Sequence, residues 1–167
     1  MRNNTQSITL LTDPTFRANL ICPLCEERPE SMTPEELKHF MQRFDAMFNT
    51  PDINIADEIF APSFISHQPM GLQFNLADFK PYVQSFYVAF PDMRQEIKDT
   101  VLAADKFVLR VMYYGTHKGD FMGVPGTGRS ISLSGTGVFR LEGNQVVENW
   151  ADLDIFGVYQ QVIAPAK

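Results

Sequence analysis

A chain of 167 residues that is 44% hydrophobic and 12% aromatic can close one sizeable core and has no length for a second full domain. Fourteen basic residues against twenty acidic ones give a formal charge of −6, spread without long runs, which disfavours a nucleic-acid backbone or an anionic membrane surface as partner. The only cysteines, Cys22 and Cys25, have the spacing of half a zinc site or a redox pair, but there is no second pair and there are just three histidines, so two reduced thiols are expected. Near the amino end Ile8, Leu10 and Leu11 are followed at once by Asp13 and Pro14, short of a secretory core. No other stretch approaches membrane-spanning length, and a soluble cytoplasmic protein is the expectation.

Residues 1–32 carry Pro14, Pro23 and Pro29 and no sustained period, which reads as an arm or lid ahead of a domain at 33–163 and a tail at 164–167. Thr33-Pro34-Glu35-Glu36 is a helix start with a capping hydroxyl and proline at the first helical position. The stripe Leu37, Phe40, Met41, Phe44 and Phe48 then demands burial of one helix face. Ile55, Ile59 and Phe60 predict a short second helix stopping before Pro62, and Phe64–His67 a short strand ending at Pro69. A third helix from Asn75 or Asp78 presents Phe79, Tyr82, Val83, Phe86 and Phe90 and ends at Pro91. Pro81 requires either the first turn or a bend. Turn signals then divide the rest into strands at 93–104, 106–118, 129–141 and 145–154. Helices first and antiparallel strands afterwards imply an α+β domain, its helices gathered on one face of a curved sheet.

Strand alternation says which side chains meet. Phe107, Leu109, Val111, Tyr113 and His117 share a mostly apolar face, and Val146, Glu148, Trp150, Asp152 and Asp154 share another if no bulge intervenes. Asp154 beside Trp150 is either a carboxylate losing hydration, with a raised pKa useful for proton transfer, or the cap of a helix beginning near Ile155. His67, among apolar neighbours, is either a hydrogen-bonded structural residue or a catalytic one. The glycines at 119, 123, 126 and 128 are not a phosphate cradle, since a strand and not a helix follows; Gly126-Thr127-Gly128 suits a tight hairpin.

The run Gly115-Thr116-His117-Lys118-Gly119-Asp120-Phe121-Met122-Gly123-Val124-Pro125-Gly126-Thr127-Gly128-Arg129, then Asn149-Trp150 and Asp154, resembles the SnoaL-like polyketide cyclases of the NTF2-like superfamily. Phe90-Pro91-Asp92 and His67 extend the resemblance over about 32–162. It implies a cone-shaped, mostly antiparallel sheet wrapped around helices and a deep apolar pocket. It also implies a cyclase or isomerase of secondary metabolism, closing a ring by an aldol-type step on a hydrophobic carbonyl substrate without metal or organic cofactor. By that alignment Asp154 is the acid/base and His67 and His117 the assisting imidazoles. Trp150, Tyr113, Phe44 and Phe121 are candidate pocket walls, each with core packing as its alternative role. A homodimer is expected. A non-catalytic ligand-binding or oligomerisation module is the competing reading. Epoxide hydrolysis is disfavoured because Arg110 has Met112 and not an acid two positions on, and steroid-type isomerases by phenylalanines where the first helix would need a tyrosine.

Overall fold

The computed structural model describes residues 34–50, 52–103 and 105–164. The arm, Cys22, Cys25 and the expected cap Thr33 lie outside the described residues. Helix α1 spans Pro34–Asn49, with Glu35 and Glu36 in its first turn where the helix dipole favours anions. It buries Phe40, Phe44 and Met47. Its last residue holds the sheet, because Asn49 Oδ1 accepts the Gln95 amide at 2.7 Å and Asn49 Nδ2 donates to the Gln95 carbonyl at 3.3 Å.

A 3₁₀ turn at Ile53–Ile55, capped by Asp52, leads into α2, Ala56–Ile59. Strand β1, Phe60–Gln68, begins directly after it and runs through Pro62, earlier than the sequence suggests. The proline is tolerated because pairing with the neighbouring strand is interrupted between Phe60 and Ile65, where no ladder donor is needed. Strand β2, Leu72–Asn75, pairs antiparallel with β1 and was not expected, since four residues are too few to show a period. Asn75 caps α3, Leu76–Ala89, by accepting the Asp78 amide at 2.9 Å. Pro81 is the sixth residue of α3, so the helix forfeits the bond to the Ala77 carbonyl; burial of Phe79 and Val83 on either side holds the segment in place. Strands β3 (Arg94–Leu102), β4 (Lys106–Thr116), β5 (Ser130–Glu142) and β6 (Gln145–Leu153) follow, and α4, Ile155–Ile163, closes the described chain.

The six strands form one curved sheet in the order β2-β1-β6-β5-β4-β3, antiparallel at every junction except β1 with β6. This is the α+β architecture expected from the sequence. Register shifts at Ile97/Asp99 and Arg140/Leu141 mark bulges, which sharpen the local bend of a strand. Phe44 presents its ring edge-on to Phe107 at 5.7 Å and Phe139 at 5.0 Å, and those two stack at 4.7 Å. Such pairs add about 0.5–1.5 kcal/mol each beyond area burial. A second cluster joins Phe90, Ile131 and Leu133 to Val158 and Val162 and so seats α4. Among the described residues no helix is long and apolar enough to cross a membrane.

Candidate functional site

Between the inner face of the sheet and helices α1 and α3 lies a narrow, partly open cavity of about 70 Å³. Its helical wall is Phe44, Phe48, Phe79, Tyr82, Val83 and Phe86; its sheet wall includes Leu109, Val111, Tyr113, Leu133 and Leu153. The floor is kept open by small residues. Gly137 stands between Leu109 and Ala151 in the strand register, and a Cβ there would sit 2.6 Å from the Phe139 ring.

Polar groups reach this apolar space from two sides. Gln68, Gln95 and Asn149 are only 8%, 6% and 3% exposed, yet Gln68 Oε1, both amide atoms of Gln95 and Asn149 Oδ1 have no hydrogen-bond partner among the described residues. Gln68 spends its Nε2 on the Ser66 hydroxyl at 2.7 Å, and Ser66 lies opposite Asn149 in register, so β1 and β6 build one polar side. Gln95 and Tyr113 face each other across β3 and β4 and build the other. With its backbone held by Asn49, Gln95 leaves its side-chain amide for the cavity. A buried polar group left unpaired costs about 1–3 kcal/mol, so four such amide atoms at one cavity are better explained by an occupant that pairs with them than by packing. Burial pushes the Tyr113 phenol well above its ordinary range, raises that of Tyr82, and pushes Tyr87 up to about 12; at neutral pH these hydroxyls are donors.

The residues expected to carry acid/base chemistry are elsewhere. Asp154 is exposed, and its Oδ1 accepts the Gly157 amide at 2.8 Å as the N-cap of α4. A Cβ at residue 157 would stand 2.1 Å from Asp154 Oδ2, so the glycine is what admits the cap. The carboxylate borders a groove on the outer face beside Arg110, Thr136 and Asp152 and does not line the apolar cavity. Trp150, 37% exposed, also stands on the outer face. His67 pairs with it in register and stacks on it at 5.3 Å. His67 Nε2 lies 3.0 Å from Glu148 Oε1, whose other oxygen accepts Arg140 Nε at 3.2 Å. The hydrogen bond from His67, then that from Arg140, holds the Glu148 carboxyl below its ordinary pKa.

His117 is fully buried but lies in the second core cluster's neighbourhood, with Phe90 at 5.5 Å and Phe121 at 6.4 Å between ring centroids. Its Nδ1 accepts the Thr127 amide at 3.3 Å and sits 3.0 Å from the Thr127 hydroxyl. An accepting Nδ1 places the proton of the neutral ring on Nε2, which is buried without a partner among the described residues. His117 thus pins the loop that returns to β5. Asp154, His67 and His117 share no cavity; of the expected walls Phe44 and Tyr113 line it, whereas Trp150 and Phe121 do not.

The cause is local. Val146 and Val147 are both buried where the β5–β6 register slips, so alternation resets, and from Glu148 on the row with Trp150 and Asp152 faces outward. Asn149, hidden by that slip, could not be found by parity. Gln95 could, because it sits between Met93 and Ile97 on an inward row.

A profile of SnoaL-like polyketide cyclases matches residues 38–162. Comparison with curated proteins gave no match. Among solved structures, AclR from Streptomyces galilaeus, a proposed hydroxylase, is 23% identical with a TM-score of 0.71, covering 81% of this chain and 87% of its own. IdmH from Streptomyces antibioticus, a proposed polyketide cyclase, is 26% identical with a TM-score of 0.67, covering 74% and 96%. A proposed polyketide cyclase from Acidithiobacillus ferrooxidans is 29% identical with a TM-score of 0.68, covering 81% and 100%. With the profile spanning most of its length and the cone and cavity in place, this chain belongs to the SnoaL-like polyketide cyclase family.

Proposed function

We propose that this protein is a cyclase or isomerase that folds a hydrophobic carbonyl substrate inside the cavity and closes a ring by an intramolecular aldol-type step, or moves a proton along it, using no metal or organic cofactor. The observation that carries this reading is the set of buried, unpaired atoms, Gln68 Oε1, both amide atoms of Gln95 and Asn149 Oδ1, in an otherwise apolar space. A β-dicarbonyl has an acidic carbon–hydrogen bond. As that proton leaves to water at the mouth, charge develops on oxygen, where the Gln95 amide and the Tyr113 hydroxyl can donate; the carbanion attacks a second carbonyl and the new alkoxide takes a proton back. Holding the two reacting carbons together supplies the larger share of the rate, since well-oriented intramolecular reactions gain about 7–11 kcal/mol. Among the described residues no carboxylate or imidazole lines the cavity, so in this reading water at the mouth takes and returns the proton and neutral donors stabilise the charge on oxygen.

The test is a pair of substitutions assayed for turnover of linear aryl β-triketones. Gln95→Leu is expected to lower kcat roughly 10–100-fold, the value of about 1.5–3 kcal/mol for a hydrogen bond to a charged oxygen. It should also raise Tm slightly, because an unpaired buried amide is exchanged for an apolar side chain of similar size. Asp154→Asn should leave kcat within about twofold, since asparagine caps a helix as well as aspartate does. The reverse pattern would restore the carboxylate mechanism. The absence of a carboxylate or imidazole from the cavity lining, among the described residues, also favours a second reading, a non-catalytic ligand-binding module. Binding of β-triketones without turnover by the unaltered protein would select it.

A further inference from the structure

The cavity does not end at its mouth. Four separate elements converge on an adjoining groove: Pro69, Met70 and Leu72 from the β1–β2 connection, Tyr82, Ser85 and Phe86 from α3, Asp120, Phe121 and Met122 from the loop, and Ile155 from α4. Tyr82 and Phe86 are walls of both spaces. Gln68, which faces the cavity, and Met70, which rims the groove, belong to one turn of chain.

Two rim methionines are held against their backbone preference. Met70 has φ +64° and Met122 φ +54°, each followed by a glycine also at positive φ. Residues 121–124 close a two-residue hairpin turn, with Phe121 and Val124 exchanging bonds of 2.9 and 3.0 Å. Glycine, asparagine or aspartate suits the first central position of such a turn, and an unbranched apolar side chain does not. These two side chains are nonetheless 74% and 55% exposed, with Leu72 at 40%. Left-handed backbone, exposed thioethers and a contiguous apolar wall therefore coincide on both sides of one groove. Among the described residues Asp120 is its only charged lining residue, which disfavours an anionic occupant.

We propose that this groove is a second subsite, in which Met70 and Met122 grip an uncharged apolar extension of the same ligand whose oxygenated part lies among Gln68, Gln95 and Asn149. The inference rests on the cavity being the ligand site. Methionine suits the task because its three rotatable bonds and polarizable sulfur adapt to chains of different length.

The experiment compares the calorimetric affinities of 1-phenyl-1,3-butanedione and 1-phenyl-1,3-heptanedione, which differ by three methylenes. Each fully buried methylene is worth roughly fourfold in affinity. The longer ligand is expected to bind about 10–50-fold more tightly to the unaltered protein. In Met70→Gly/Met122→Gly, whose glycines relieve the backbone, that gain should fall below about threefold while affinity for the shorter ligand is unchanged. An equal gain in both proteins overturns the subsite. So does a dimer of the unaltered protein that dissociates in the double variant with the gain intact, which would make the groove a contact between copies. Failure of the shorter ligand to bind at all rejects the cavity itself, and with it the subsite; the difference between ligands reads the groove alone.

Discussion

Replacing Ala151 with phenylalanine should lower affinity for 1-phenyl-1,3-butanedione by roughly 100-fold or more, about 2.8 kcal/mol, without unfolding the protein. Ala151 and Gly137 are register partners on the cavity floor. A benzyl group at 151 would occupy the space that a bound ring needs. Overpacking a filled core typically costs about 1–3 kcal/mol, but here the added ring enters a void, so Tm should move little. The neighbouring position is not equivalent: a methyl at Gly137 meets Phe139 at 2.6 Å and would disturb the Phe107–Phe139 stack, confusing stability with binding. Calorimetric titration and a thermal melt on Ala151→Phe separate the two effects. Undiminished binding would remove the cavity as the ligand site.

His117→Ala is expected to be the most destabilising change to a residue that sequence reasoning assigns to catalysis. The substitution deletes a fully buried ring and leaves the Thr127 amide without its acceptor. A void plus an orphaned donor should cost about 3 kcal/mol, which for a chain of this size lowers Tm by roughly 6–12 °C. The loop is closely built around this point: Gly128 donates to the His117 carbonyl at 2.8 Å, and a Cβ at Gly126 would lie 2.1 Å from the Lys118 carbonyl oxygen. His117→Asn, which keeps a side-chain acceptor, should recover part of the loss. Denaturant unfolding reads the prediction directly. A variant of unchanged stability whose kcat collapses would instead return His117 to the chemistry.

The outline of the fold was written in patterns that physics makes hard to disguise. Phe40 and Phe44 on one helix stripe, a helix start near Asn75, and alternation through Phe107, Leu109 and Val111 each express a single local rule, and each holds. Tyr113 and Phe44 were legible as walls for the same reason. Strand parity failed at one local irregularity. One register slip at Val146 and Val147 sent Trp150 outward, and the aspartate beyond it met a helix start before it could meet a cavity. Gln68 and Asn149 were silent because a lone amide carries no periodic signature. Their meaning appears only when β1 and β6, far apart in the chain, are laid side by side in parallel. The sequence also hides the emptiness between strands, since Gly137 and Ala151 read as ordinary small residues until the register makes them neighbours.

Which side of the sheet receives the ligand is answered in one titration by nitrogen-15 NMR of the full chain. The side-chain amide resonances of Gln68, Gln95 and Asn149 report the inner face, and the indole N–H of the single tryptophan, Trp150, reports the outer one. On addition of 1-phenyl-1,3-butanedione the three amides should shift together and saturably while the indole stays in place. A shift of the indole with unmoved amides would contradict the account and transfer the site to the face that carries His67, Glu148 and Asp154.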